Sequence, residues 1–202
     1  MLEARNWRIV APNSVAEVDR TGLRLVATGR GLLRKLLGEA DDRHRLFCDC
    51  IRWDRVLLIV SESGETGGFV TFKQQGRGPY TPALRTFQKV FGLWSGLWRF
   101  LAFWLLEARD LGNGFYIYGL KVSVHHRREG LARLLVAAVE QEAWRRGACH
   151  VTLEVGEENI PARTLYESLG YARYRTISLR GLSRFFPFSR LHRLRKLRPS
   201  TL

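Results

Sequence analysis

Runs of apolar and β-branched residues, separated by turn residues, predict strands in the first half of the chain. Arg55–Val60 and Phe69–Phe72 are such runs, and Ser63–Gly68 between them has the composition of a turn. This order predicts a β-hairpin. A shorter run, Trp7–Val10, predicts a first strand that ends before Pro12.

Apolar residues spaced three or four positions apart predict helices between the first strand and the hairpin. Ser14 and Glu17 have the spacing of a capping box, whose side chains satisfy the free amides of a helix N-terminus. Gly29–Gly31 is expected to separate two helical segments, and a third is expected around Arg43–Trp53. The apolar positions of the first two segments are Val15, Val18, Leu25, Val26, Leu32, Leu33, Leu36 and Leu37.

Strand and helix patterns alternate in the second half of the chain. Such alternation predicts a layered α/β domain with some parallel strand pairing. No internal repeat is visible. The predicted elements are a strand at Phe115–Val124, a helix at Gly130–Arg146, a strand at Val151–Val155, a helix at Pro161–Ser168 and a strand at Tyr171–Leu179.

An aromatic segment, residues 74–112, connects the hairpin to the Phe115 strand and is longer than an ordinary connection. Its apolar positions alternate three- and four-residue steps, which predicts a helix. Arg99, Gly92 and Gly96 argue against a membrane span. Three interpretations stay open: core packing, a homodimer contact, and an interfacial membrane contact or lipid-like acceptor pocket. The apolar positions are Leu84, Phe87, Phe91, Trp94, Trp98, Leu101 and Leu105.

Length and composition indicate an ordinary globular chain. It has 202 residues, of which 46% are hydrophobic, and this excludes a wholly disordered or fibrous protein. Of the three cysteines, Cys48 and Cys50 form one C-x-C without a second pair, so no metal site is expected. The first residues show no secretory signal. We therefore expect a reduced, cytoplasmic protein.

The net charge of +14 calls for an anionic partner: nucleic acid, an anionic membrane surface or a phosphate-rich ligand. Half of this excess lies in residues 180–202, which contain no acid. We divide the chain into one domain, 1–182, and a basic tail, 183–202. Leu191, Leu194 and Leu197 share a helical face of that tail, which suits anionic lipid headgroups better than RNA in this interpretation. A solvated, partly disordered tail is the alternative.

The segment Leu120–Leu135 joins a strand to a helix through an arginine-rich turn. Amides at a helix N-terminus favour phosphate oxygens. Gly130 permits close approach of the backbone, and Ala132 keeps the next turn position small. Taken alone, R-x-x-G-x-A is a weak motif, and a structural helix start explains it equally well.

A second motif, Leu153–Tyr171, follows in the order L-E-V, then N-x-x-A, then L-Y-E-x-L-G-Y. Together the two segments closely resemble the acyl-CoA-binding core of the GNAT superfamily of N-acetyltransferases, and are similar to the ribosomal-protein alanine acetyltransferases in it. The resemblance covers about a quarter of the chain, Leu120–Tyr171. It implies a mixed, partly parallel central sheet flanked by helices, with the aromatic segment inserted before the cofactor-binding strand. Val124 and Arg128 depart from the family's common proline and glycine.

The resemblance implies a role for each matching position. The main chain of the Leu120, Lys121 and Val122 strand would bind the pantetheine arm of acetyl-CoA. Asn159 would contact the cofactor near its thioester. Tyr166 would protonate the departing thiolate, since a tyrosine hydroxyl keeps its proton at neutral pH. The pyrophosphate would be bound by the turn residues Arg127, Arg128, Glu129, Gly130, Leu131, Ala132 and Arg133.

The resemblance also implies a general base, Glu154, which would take the proton of the attacking ammonium group. A salt-bridging strand glutamate is the alternative. Other candidates for the base are Glu157, Glu158, His125 and His126.

These residues lead us to expect an acetyl-CoA-dependent N-acetyltransferase that acts on a primary amine by direct attack. The sequence does not identify the acceptor. The alternative is a non-catalytic acyl-CoA-binding module held to an anionic membrane or RNA by the basic tail. In either case the protein is expected in the cytoplasm, with a possible peripheral contact at the inner membrane surface.

Overall fold

A single sheet runs through the part of the chain that the computed structural model describes, residues 6–29, 33–108, 114–178 and 189–199. Seven strands in these ranges lie in the order β1-β2-β3-β4-β5-β7-β6. They are β1 (Trp7–Val10), β2 (Val56–Ser61), β3 (Thr66–Gln74), β4 (Phe115–Val122), β5 (His150–Gly156), β6 (Ala172–Ser178) and β7 (Arg190–Leu197).

Helices cover both faces of this sheet. They are α1 (Arg20–Ala27), α2 (Arg34–Leu37), α3 (Ala40–Phe47), α4 (Leu84–Phe91), α5 (Leu93–Glu107), α6 (Leu131–Arg145) and α7 (Ile160–Ser168). Neighbouring strands pair antiparallel except β4 and β5, which are parallel. The predicted layered α/β fold with a mixed, partly parallel sheet is confirmed.

Two hydrophobic cores form because successive strand residues point to opposite faces. On β2, Ile59 packs in the core beneath α6 and α7, whereas Leu58 packs in the core beneath α1 to α5. In the first core, the rings of Phe72 and Phe115 stack with 4.6 Å between centroids. Each fully buried side chain of this size contributes roughly 1.5–3 kcal/mol by leaving water.

The predicted capping box is wrong. Ser14 makes no side-chain cap, and Val15–Glu17 form only a short 3-10 turn. The carboxylate of Glu17 instead accepts from the amide of Asn13 at 3.2 Å. The helix begins later, at α1, where Asp19 accepts from the amide of Gly22 at 2.9 Å.

The aromatic segment forms two helices rather than one. Gly92 separates α4 from α5 with φ of +83°, a backbone conformation that side chains disfavour. The core interpretation holds for Phe87 and Phe103, which are buried. It is wrong for most of the predicted stripe, because Trp94 and its outward neighbours Trp98, Leu101 and Leu105 are exposed.

The prediction of a helical tail is also wrong, since residues 190–197 form β7 in the interior of the sheet. β7 pairs with β5 on one side and with β6 on the other. Its His192 and Leu194 are buried, so this segment is part of the domain. Residues 183–188 of the predicted tail lie outside the described residues.

None of the helices in the described ranges has the length and apolar character needed to cross a membrane.

Candidate active site

The site begins where β4 and β5 move apart. The two strands pair only from Phe115 to Ile117 on β4 and from Val151 to Leu153 on β5. Beyond these residues β4 continues to Val122, while its other edge stays paired with β3. The edge of β4 that faces β5 is therefore open, and its backbone groups border two adjoining cavities.

The first cavity, of about 530 Å³, lies between the end of β4 and the start of α6. It will be called the turn cavity. The strand residues Leu120, Lys121 and Val122 line one side, and Asn159 lies at the other. The turn residues in its wall are Arg127, Arg128, Gly130, Leu131, Ala132 and Arg133. Of the residues predicted to bind the cofactor, only Glu129 lies outside this wall.

The turn has the backbone of an anion site. Arg128 and Gly130 both have positive φ, +69° and +82°, which turns the chain sharply into the N-terminus of α6. The first amides of a helix have no acceptor within it, and the helix dipole adds positive charge there. The Arg133 amide, in a residue predicted to bind the pyrophosphate, is already engaged, because it donates to the Gly130 carbonyl at 2.9 Å.

The charge around this turn is strongly positive. Burial, with a smaller contribution from Arg43 and Arg127, lowers the pKa of Lys121. The Arg133 guanidinium donates to the Ser168 hydroxyl at 2.7 Å, which holds it beside the cavity. A polyanion such as a pyrophosphate suits these groups, since each phosphate oxygen accepts charge-assisted hydrogen bonds.

Glu129 and His126 form a separate cluster at the rim. The His126 ring lies 3.3 Å from carboxylate oxygens of both Glu129 and Glu65. It also packs edge-on against Trp7, with 4.8 Å between ring centroids. His126 lines the turn cavity, and these contacts fix its ring there rather than near the second cavity.

The second cavity, of about 540 Å³, opens between the diverging strands and will be called the cleft. Leu120, Asn159 and Ala162 line both cavities, so the two adjoin. Tyr166 of α7 lies in the cleft wall and is 7% exposed. Its burial raises the pKa of the hydroxyl to about 12, so the group is a proton donor at neutral pH. The Asn159 side chain accepts from the Ala162 amide at 3.4 Å and thereby caps α7.

Glu154 enters the cleft from β5. Its neighbours Leu153 and Val155 belong to the core beneath α6, so its carboxylate points to the opposite face. Arg193 of β7 donates through Nε to the Glu154 Oε1 at 2.7 Å. The Tyr116 hydroxyl approaches Oε2 at 3.5 Å. The salt bridge named as the alternative is therefore present, in the same place as the candidate base.

A cluster of three residues, of which Tyr118 alone lines the cleft, has no counterpart in the sequence motifs. Tyr118 lines the cavity, and its hydroxyl donates to the Glu107 carboxylate at the end of α5. Lys73 donates to the backbone carbonyl of Glu107. Only strand alternation on β4, which places Tyr116 and Tyr118 on one face, could have indicated part of this cluster.

The other candidates for the base lie in different surroundings. Glu157 pairs with Arg190 at 3.1 Å and lines a third pocket outside the cleft. Glu158 borders the cleft, where backbone hydrogen bonds, its own and that of Ser189, lower its pKa. His125 is exposed in the turn before α6. Among the described residues, Glu154 and Glu158 are thus the two carboxylates in the cleft wall.

Part of the chain matches a known protein family. Residues 90–179, which include α6, β5, α7 and both cavities' principal walls, match the sequence model of the FR47-like proteins. A comparison with curated proteins gives no match.

Solved structures of acetyltransferases resemble the whole chain. A crystal structure described only as an acetyltransferase is 16% identical, with a TM-score of 0.59, and the match covers 94% of this chain and 98% of that one. The ribosomal-protein-S18-alanine N-acetyltransferase from Escherichia coli is 13% identical, with a TM-score of 0.53 and coverage of 97% and 98%.

A chain of the NatC complex bound to Gag peptide and CoA is 18% identical, with a TM-score of 0.55 and coverage of 96% and 99%. Against two further acetyltransferases the chain spans less than two thirds of the other protein, 61% and 65%.

The motif in the turn, the divergence of β4 from β5 and these structural matches agree. The resemblance inferred from the two motifs is confirmed, and the chain has the fold of the GNAT acetyltransferases.

Proposed function

We propose that the protein is an acetyl-CoA-dependent N-acetyltransferase that transfers the acetyl group directly to a primary amine. The observation that carries the proposal is that the two cavities adjoin along the open edge of β4 and share three wall residues. One end has an arginine-rich turn at a helix N-terminus, and the other has a buried proton donor beside a carboxylate. This arrangement suits a long, phosphate-bearing acyl donor whose reactive end must reach Tyr166.

Acetyl-CoA supplies an activated acetyl thioester to the cleft. The open edge of β4 around Leu120 offers backbone groups that can orient the arm of the donor and stabilise an oxyanion. Glu154 accepts a proton from the acceptor amine, directly or through a water molecule. Tyr166 donates its proton to the departing thiolate sulfur, and its raised pKa keeps that proton available.

Calorimetry with coenzyme A tests the cofactor part of this proposal. We expect binding that weakens when Arg127 and Arg128 are both replaced by Gln, because two charges beside the phosphates are lost. Tyr174→Gln is the control, since it lies on β6 away from both cavities. Absence of coenzyme A binding by the unmodified chain would contradict the proposal.

A non-catalytic acyl-CoA-binding module is the second candidate. The observation that favours it is the Arg193 contact, which already engages the carboxylate proposed as the base. Free-thiol release from acetyl-CoA, measured with a broad panel of amines, separates the two. Thiol release that depends on the amine supports the enzyme. Binding of acetyl-CoA with no thiol release, whichever amine is added, supports the non-catalytic module.

A further inference from the structure

The outward face of α5 carries large apolar side chains that no other part of the described chain covers. Trp94 is 79% exposed and Trp104 is 61% exposed. Soluble monomers rarely expose so many large apolar groups on one surface unless it has a partner. The surface, called here the tryptophan face, consists of Leu93, Trp94, Trp98, Leu101, Trp104 and Leu105.

The exposure follows from how α5 packs. Gly96 and Phe103 form its buried side, where Gly96 lies so close to α4 that an added Cβ would sit 2.6 Å from the Cα of Gln88. Trp94, Trp98, Leu101 and Leu105 lie roughly half a turn away from that side, at helical spacing. The core is therefore complete without them.

The two helices of this segment, α4 and α5, together carry a net positive charge. Arg85 and Lys89, one turn apart on α4, are both exposed, and neither takes part in a salt bridge found among the described residues. Residues 75–106 contain no Asp or Glu at all. Arg99 lies at the edge of the face, with its guanidinium 5.0 Å from the Trp98 ring centroid.

We propose that the tryptophan face binds the surface of an anionic lipid bilayer. Tryptophan and leucine side chains enter the boundary between headgroups and acyl chains, while basic residues beside them attract anionic headgroups. The charge complementarity decides against a second copy of the chain. Two such surfaces placed face to face would bring cations near cations, with no acid in residues 75–106 to meet them.

This docking also orients the cleft. The last residue of α5, Glu107, contacts Tyr118 in the cleft wall, and Trp104 and Leu105 lie in the turn of helix that precedes it. The helix that carries the tryptophan face therefore ends at the cleft wall. The membrane binding does not depend on acetyl transfer, so the test of one proposal does not decide the other.

Co-sedimentation with vesicles tests the proposal, comparing phosphatidylcholine vesicles that contain phosphatidylglycerol with pure phosphatidylcholine vesicles. We expect the full chain to bind the phosphatidylglycerol vesicles, and the double variant Trp94→Gln/Trp98→Gln to bind them more than about tenfold more weakly. Val15→Gln, which removes an exposed apolar group elsewhere, is the matched control and should bind as the unmodified chain does.

A second variant tests the charge. Arg85→Gln/Lys89→Gln should weaken binding to phosphatidylglycerol vesicles by about 30-fold, at about one kcal/mol for each basic residue near an anionic surface. All variants keep the cations of residues 180–202, so any attraction of those cations is common to every measurement. Thermal unfolding checks that each variant is folded.

Three results would overturn the proposal. The first is a failure of the unmodified chain to bind phosphatidylglycerol vesicles, and the second is equal binding by the tryptophan double variant. The third is a dimer, seen by light scattering, that the tryptophan substitutions convert to a monomer without any vesicle binding. That outcome would assign the tryptophan face to a second copy of the chain.

Discussion

Among single residues, Tyr166 combines burial with a position in the cleft. Its hydroxyl belongs to a side chain that is 7% exposed, and this burial raises its pKa to about 12. Desolvation disfavours the ionised phenolate, so the proton is retained in the folded protein. A group that keeps its proton until a thiolate forms nearby suits the role of general acid.

Replacing Tyr166 by Phe should lower kcat by about 10²–10⁴-fold, the usual contribution of a general acid. The affinity for coenzyme A should change little, because the substitution keeps the ring in the cleft wall. Steady-state kinetics and calorimetry measure the two quantities. Tyr171→Phe, which changes a buried ring 5.7 Å away that does not line the cleft, is the control. An unchanged kcat would remove Tyr166 from the mechanism.

Tyr166 also makes the free energy of unfolding depend on pH in the alkaline range. The folded pKa is raised from 10.0 to about 12, so the unfolded chain loses this proton first as pH rises. The contribution is fully present below pH 10, and it is lost as pH rises toward 12. We expect the free energy of unfolding to fall by roughly 3 kcal/mol on this account. Denaturation of the Tyr166→Phe variant should show a correspondingly shallower decline; parallel curves would contradict the expectation.

Among the elements, the hairpin of α4 and α5 depends on the absence of a side chain at Gly96. A Cβ there would meet the Gln88 backbone at 2.6 Å, and backbone atoms cannot rotate away. Gly96→Ala should therefore separate the helices and cost about 1–3 kcal/mol of the free energy of unfolding. Urea denaturation measures this. Leu101→Ala, on the exposed side of α5, should change the value by less than about 0.5 kcal/mol.

Strand β7 makes a second prediction at this scale. It supplies Arg193 to the cleft and Leu194 to the core, and it joins β6 to β5. A chain that ends at residue 188 should fail to fold. The loss of β7 leaves the edges of β5 and β6 unpaired and exposes the core to water. A chain that ends at Arg198, whose amide donates to the Cys149 carbonyl, keeps all of β7 and should be as stable as the full chain. Circular dichroism and thermal unfolding compare the two.

At the scale of the whole molecule, the proposed donor site joins elements distant in sequence: β4, the turn before α6, and α7. A ligand that binds only the folded state raises stability by mass action. Coenzyme A at about 100 times its dissociation constant should raise the free energy of unfolding by about 2.7 kcal/mol. For a chain of this size the melting temperature should rise by about 5–10 °C. The Arg127→Gln/Arg128→Gln variant should show a smaller rise at the same concentration.

A structural feature could be predicted from the sequence when the residues that determine it are close together along the chain. The turn before α6 could be predicted because Arg127 to Arg133 carry their geometry within seven consecutive residues. β7 could not, since Leu191, Leu194 and Leu197 fit a helical face equally well and only pairing with β5 makes them a strand. The contact of Arg193 with Glu154 spans 39 residues, and the sequence pattern separates its two ends into a domain and a tail.

The place of β7 in the sheet has a consequence for how the chain folds as it is synthesised. β6 leaves the ribosome before β7, although β7 lies between β6 and β5. Until β7 emerges, β5 and β6 both have a free edge, and free edges pair readily with whatever strand is near. Any early pairing of β6 with β5 must come apart before the native order can form, and domains of this size meet such kinetic traps. The ion pair at the candidate base therefore forms only after the sheet has accepted its last described strand into its interior.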